Sequence, residues 1–505
     1  MEEVLESLGR FLPETTLSAG LLLVVVVDAT GAAARNALNK ALTALTLLGA
    51  LYLCGPLASP AAAGPIFSGM LVVDPMGTFF KVVLIAASLL VLLAFTFTNA
   101  RELHGLGQGE FYALLLALTF SNALLASAND LAMLYLALEM VSITSYVMVG
   151  YMKGDRFSNE ASLKYILFGA VSTGTMLYGL SLLYGLTGTT SLPAIRDFLA
   201  TGLSDQTRFA VYVISLMIFA GFGFKTAAVP FHFWCPDVYQ GAPTPVTALL
   251  SVAPKAAGFA VMTRFFFSSL STAGASAWEL TGTIDWPLLL MVISVATMTL
   301  GNVAALTQTN MKRLLAYSSI SHAGYIMMGV VALSANGLRG MMVYLFAYLF
   351  MNLGAFLVVT LVHLHEGSFD LRDYPGLYRR APLLTLAMAI FLFSLMGIPP
   401  LVGFMAKLYV FAAIIERGPD YWWYAFAAAL NAAVAAYYYM RILKTMMIDE
   451  EIVPEGGQPR PALRLAFADR ASLGLFAAAN VVPMLFFWPA IEGWAKSSLT
   501  LWAGR

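Results

Sequence analysis

The chain is 505 residues long, 60% hydrophobic and 11% charged, and its 28 basic and 28 acidic side chains cancel. A soluble domain carries about 25% charged residues, so a water-soluble globular fold is excluded, as are a basic nucleic-acid face and an acidic tail. So much apolar sequence suits an all-α integral membrane protein, because lipid replaces water around the outer faces of its helices.

The first residues, MEEVLESLGRF, are acidic and have no basic segment ahead of an apolar run. They do not read as a cleaved signal peptide, and the first membrane helix is expected to direct insertion. Apolar stretches of bilayer length then predict fourteen transmembrane helices, at 13–32, 40–58, 76–98, 110–127, 129–151, 161–186, 208–233, 242–268, 285–307, 313–333, 338–364, 382–415, 421–446 and 471–494. No low-complexity linker divides them, so 1–505 reads as a single transmembrane domain, with helices 1–3 inside 1–98. Segment 191–200, SLPAIRDFLA, predicts a short amphipathic helix at the interface.

Two crossings should be broken. Helix 7 carries Pro230, and helix 12 is too long for one straight crossing and contains Gly397, Pro399 and Pro400. An interior proline removes a backbone hydrogen bond, and within a bilayer the freed carbonyls persist only where protein or water satisfies them. Paired broken helices point to an ion site near mid-membrane. Lys225 and Lys407, on these two helices, are 182 residues apart, and Glu139 and His322, on helices 5 and 10, are 183 apart. That spacing suggests two five-helix repeats, helices 4–8 (110–268) and 9–13 (285–446), inverted because five is odd. Coincidence among similar helices is the alternative.

With the N-terminus outside, the inner loops hold fourteen Lys and Arg residues and the outer side eight, Arg264 among the latter. The positive-inside rule then places both termini outside. Cys54 and Cys235 form no metal or redox spacing and read as inert core thiols.

Ionisable groups inside apolar runs are the informative residues. Each costs roughly 2.5–3.5 kcal/mol at a helix centre, and such groups usually mark ion pathways. Glu139, Lys225, Lys255 and Lys407 are deep in their helices and are the first candidates for proton transfer. A low-dielectric site disfavours a charged ammonium and a nearby carboxylate favours it, so approach and separation of Glu139 and Lys225 would hold and release a proton. Lys164, His232 and His322 are further candidates. Lys164 is close enough to a helix end to snorkel, and either histidine could be a satisfied core residue. Lys81, near the start of helix 3, reads as an interfacial lysine. No phosphate loop, dinucleotide fingerprint or cysteine cluster is present.

The stretch FGFKTAAVPFHFWCPDVYQGAPTPVTALLSVAPKAAGFA (222–260) resembles the signature of the antiporter-like subunits of respiratory complex I, and its wording is similar to the subunit N branch, known in mitochondria as subunit 2. YMKGDRFSNEASLKYILFGAVSTGTMLYGLSLLYGLTG (151–188), TQTNMKRLLAYSSISHAGYIMMG (307–329) and GIPPLVGFMAKL (397–408) agree with it. The resemblance implies inverted repeats with broken helices 7 and 12, and assigns the functional acid and lysines to Glu139, Lys225, Lys255 and Lys407. It also implies importance for Lys164 and His232. By the same resemblance this chain holds no cofactor. NADH, FMN, iron–sulfur clusters and quinone belong to partner subunits, and the partners include the other antiporter-like subunits in a bacterial cytoplasmic membrane. The implied role is proton translocation coupled to NADH oxidation. A subunit of a multi-subunit sodium/proton antiporter, or the same subunit beside a different electron donor, remains the alternative.

Overall fold

The computed structural model describes residues 2–31, 34–96, 108–274, 278–281, 284–451 and 460–499. A short helix α1 (Glu2–Arg10) leads into the first three crossings, α2 (Leu12–Ala29), α3 (Arg35–Leu57) and α4 (Pro75–Thr96). Then come α5 (Gln108–Ser127), α6 (Leu131–Val149), α7 (Arg156–Thr187), the short α8 (Leu192–Ala200), a broken crossing made of α9 (Asp205–Thr226) and α10 (Trp234–Gly241), and α11 (Thr244–Ser269). The next group is α12 (Trp286–Ala305), α13 (Met311–Val331), α14 (Ala335–Glu366), the one-turn α15 (Leu377–Arg380), a second broken crossing of α16 (Pro382–Met396) and α17 (Val402–Glu416), and α18 (Trp422–Met447). The last crossing runs from α19 (Phe467–Val482) through a π turn at Pro483–Phe487 into α20 (Trp488–Ser497).

Thirteen of the described helices are long and apolar enough to span a membrane, and Pro382–Met396 is a shorter apolar helix whose crossing α17 continues. The fourteen expected crossings are therefore present. The expected ends at 32 and 97–98, and Arg101 and Arg505 of the charge count, lie outside the described residues. Two small hairpins were not foreseen. β1 (Gly64–Ile66) pairs with β2 (Leu71–Val73), Pro65 opposite Val72, and β3 (Ser271–Ala273) pairs with β4 (Trp278–Leu280), Thr272 opposite Glu279. Three residues per strand are too few to show an alternating pattern in the sequence.

The two five-helix segments match at their hydrogen-bonded ends. Asp130 caps α6 by accepting from the Ala132 and Met133 amides, and Asn310 caps α13 by accepting from Arg313. Asp130 forms an isolated antiparallel bridge with Ser191, and Asn310 forms one with Asp370. The next helices, α7 and α14, are both 32 residues long and both end on a left-handed glycine, Gly188 and Gly367. α11 and α18 are both 26 residues long. Five crossings separate each element from its counterpart, so the second copy enters the bilayer from the opposite face.

The breaks also correspond. α9 stops at Ala227, whose φ is 58°, and α16 at Gly397, whose φ is 87°. Each is followed by an X-Pro peptide in the cis form, Val229–Pro230 and Pro399–Pro400. The helix-7 break thus begins three residues ahead of its proline. Polar groups freed there find partners within the protein, as they must in lipid: the Phe224 carbonyl accepts from Trp234 Nε1 (2.9 Å), the Val229 amide donates to Thr297 Oγ1 (3.0 Å), and the Met396 carbonyl accepts from Lys407 (2.8 Å).

α11 is the centre of the molecule, with every residue buried except Ser268, and α13 and α14 are almost as enclosed. Lys81 is not interfacial. It is 2% exposed on α4 and forms an ion pair with Glu14 of α2 at 2.7 Å. Arg264 is not a loop residue either. It is buried in α11, where it grips Asp74 with two nitrogens (2.7 and 3.0 Å) and also donates to the Ala126 carbonyl.

Candidate functional site

The three deep lysines lie in series through the core. Lys225, Lys255 and Lys407 are 1%, 3% and 8% exposed. Lys225 ends the first half of its broken crossing and donates to Ser142 of α6 (3.3 Å). Glu139, one turn earlier on α6 and half-buried, lies within electrostatic reach of Lys225 without forming a direct ion pair among those described. α11 passes Lys225 at Gly258, where an added Cβ would meet the lysine stem at 3.4 Å. Lys255 is three residues away on that helix, directly after Pro254, which leaves the Leu250 carbonyl without its usual helical donor.

Lys255 donates to Ser319 of α13 (2.6 Å) and lies 5.7 Å from the Tyr239 ring centre. On α13, His322 joins two tyrosine hydroxyls, Tyr344 at Nδ1 (2.7 Å) and Tyr439 at Nε2 (3.2 Å), and Tyr439 also meets Ser318 (2.5 Å). Lys255 meets α13 at Ser319 and Lys407 meets it at Tyr325, so His322 lies on that helix between the two points of contact. Lys407 stands over the Tyr325 ring (4.9 Å), one turn along α13 from His322. Gly397 makes room for the Lys407 stem, since a Cβ there would come within 2.9 Å of Lys407 Cδ.

Glu139, Lys225, Lys255, His322 and Lys407 are thus brought together, and Lys164 and His232 are not. Lys164 is 37% exposed and is held by Glu160 (2.8 Å) and Asp237 (2.7 Å) beside Arg313, which also binds Asp237. His232 is buried in the helix-7 break beside Phe233, with no partner for Nδ1 among the described residues. The hydroxyl partners Ser142, Ser318, Ser319, Tyr344 and Tyr439 were not named from the sequence, although the serine run in YSSISHAGY was a signal. Among the described residues no group of His, Cys, Asp and Glu could hold a metal ion.

Residues 128–433, which contain Glu139, Lys225, Lys255, His322 and Lys407, match the family described as NADH:quinone oxidoreductase/Mrp antiporter, TM. The NADH-quinone oxidoreductase subunit N of Anaeromyxobacter sp. (strain Fw109-5) is 46% identical, over 100% of this chain and 99% of the relative. The chain belongs to the NADH-quinone oxidoreductase subunit N family. The subunit N of Chlorobium chlorochromatii (strain CaD3) is 42% identical over 91% of this chain and 90% of its own length. Among solved structures, a chain of respiratory complex I from Thermus thermophilus with bound aureothin superposes with a TM-score of 0.77 at 28% identity, covering 96% of this chain and 99% of that one. A chain of the Mrp complex from Dietzia sp. DQ12-45-1b shares the fold, with a TM-score of 0.81 at 20% identity over 98% of both. As a subunit N family member the chain is a multi-pass membrane subunit of an oxidoreductase that translocates protons.

Proposed function

We propose that protons move through this chain along Glu139, Lys225, Lys255, His322 and Lys407, and that quinone reduction in partner subunits drives them. The succession of buried lysines on neighbouring helices, Lys225 against Ser142, Lys255 against Ser319 and Lys407 over Tyr325, with His322 on the same helix between Ser319 and Tyr325, carries this reading. Buried cations with hydroxyl neighbours and no fixed counter-ion can change protonation as a carboxylate approaches or recedes. In this reading Glu139 sets the charge on Lys225, Lys255 and His322 relay, and Lys407 ends the line in the second repeat.

The partners are the other membrane subunits of the complex, including its other antiporter-like chains, and NADH, FMN, iron–sulfur clusters and quinone bind in partner subunits. The membrane is the bacterial cytoplasmic membrane, with both termini on the periplasmic side. Lys164 and His232 serve the ends of the half-helices rather than the line itself. The deciding experiment is proton uptake per NADH in vesicles containing the assembled complex with Lys225→Ala. Pumping and coupled quinone reduction should fall together, and full pumping would refute Lys225 as a carrier.

A further inference from the structure

One side of α6 carries a polar stripe. Tyr135, Glu139, Ser142 and Tyr146 follow at spacings of four, three and four residues, which places them along one face of the helix. Lys225 touches this stripe at Ser142. One turn beyond Ser142 is Tyr146, nine-tenths buried, whose hydroxyl has no hydrogen-bond partner among the described residues. Ser142 is beside it, outside good hydrogen-bond geometry, and Glu139 and Tyr135 lie within electrostatic reach. The Tyr146 ring stands edge-on to Tyr165 of α7 at 4.8 Å, and the hydroxyl is aimed at Gly169, where any side chain would collide with it. A buried phenol with no partner is unfavourable, and each such group in a folded protein asks for an explanation. Here α7 leaves space for the hydroxyl, and the proton-carrying pair is one to two turns away.

We propose that Tyr146 is a further proton-handling residue, passing protons between the Glu139–Lys225 pair and the face of the protein at which α6 ends, with Gly169 as its positioning residue. The proposal rests on the reading of Glu139 and Lys225 as proton carriers. In the step the phenol oxygen takes a proton from a water or an ammonium on one side while its own proton leaves to a water or carboxylate on the other. The tyrosine ends neutral, and one proton has moved.

The test uses the whole complex in membrane vesicles. Tyr146→Phe keeps the ring against Tyr165 and removes only the hydroxyl, and proton uptake per NADH should fall several-fold at unchanged complex content. Gly169→Ala should also lower uptake, and should add little in a Tyr146→Phe background. Incorporation of 3,5-difluorotyrosine at position 146 keeps the shape but makes the phenol more acidic, so the pH profile of pumping should move to lower pH. This second measurement decides if Tyr146→Phe fails to assemble. An unchanged profile, or full pumping by assembled Tyr146→Phe, overturns the proposal. Lys225→Ala, made in parallel, separates the two readings: loss there with full pumping in Tyr146→Phe removes only the tyrosine, and full pumping in both removes the lysine line as well.

Discussion

Lys312, in the first turn of α13, donates to the carbonyl oxygen of Ala242, 2.6 Å away, where α10 ends. Arg313 beside it binds Asp237 (2.5 Å) and Gln240 (2.9 Å) of the same half-helix. At the opposite end of α13 the Val331 carbonyl accepts from Arg417, which follows α17. One buried helix therefore holds the outer ends of both half-helices, and between those ends it carries Ser318, Ser319 and His322. The same helix meets Lys255 at Ser319 and Lys407 at Tyr325, so α10 is tied to the helix that both lysines touch.

Replacing Lys312 with Met keeps an unbranched stem near the Phe369 ring, 4.7 Å from the native ammonium, but leaves the Ala242 carbonyl without this donor. That carbonyl keeps only the longer contact from Thr247 Oγ1 (3.4 Å), and poorer pairing of a buried acceptor costs up to about 1–3 kcal/mol. Hydrogen exchange at the amides of α10 should accelerate, and proton uptake per NADH should fall with complex content preserved. Unchanged exchange in α10 would show that the tie does not hold the half-helix.

Arg264 and Asp74 join α11 to the start of α4 by a buried bidentate pair. Removing one partner from such a pair typically costs 3–5 kcal/mol, because a charge is left alone in the core. Arg264→Met and Asp74→Leu should each reduce the yield and thermal stability of the complex, and the double variant should recover much of the loss. Thermal denaturation of the purified complex measures this, and a double variant worse than both singles would contradict it.

The two left-handed residues at the breaks give a prediction of opposite signs. Ala227 has a φ of 58° and carries a Cβ that this conformation disfavours, so Ala227→Gly should be neutral or stabilising by up to about 1 kcal/mol. Gly397→Ala adds that strain and pushes on the Lys407 stem, so pumping should fall even where the complex assembles. Parallel melting and vesicle assays of the two variants check both signs.

Both termini should face the periplasm. Reporter fusions at the two ends should be active only on that side, and cytoplasmic activity at either end would reverse the orientation drawn from the loop cations.

Much of this molecule can be read from its sequence because lipid imposes simple rules. Twenty apolar residues make a crossing, and Pro230 and Pro399–Pro400 mark the two broken ones. Glu139, Lys225, Lys255 and Lys407 stand out because few structural reasons exist for charge at such depth. What stayed hidden depends on distant pairing. Lys81 looks like an interfacial residue until Glu14, 67 positions earlier, is seen beside it. Lys312 and Arg313 look like loop cations until α10 arrives. Lys164 and His322 are alike as candidates along the chain, yet one is tied among Glu160, Asp237 and Arg313 and the other sits among tyrosine hydroxyls between two lysines. The lysines also break the repeat that the caps obey. Lys225 precedes its left-handed residue by two positions and Lys407 follows its own by ten, so the 182-residue spacing does not superpose equivalent sites.

The Lys81–Glu14 pair constrains how the chain is made. α2 leaves the ribosome before α4, with a carboxylate at its third residue that has no cation of its own helix within reach. Glu14 can stay near the headgroups only while α2 is high in the bilayer. α4 brings Lys81 seven residues deep, and neither charge is neutralised until the first and third crossings meet. The insertion machinery thus has a reason to release these helices as a group, with α3 between them, and the final depth of α2 is set by a residue translated after it.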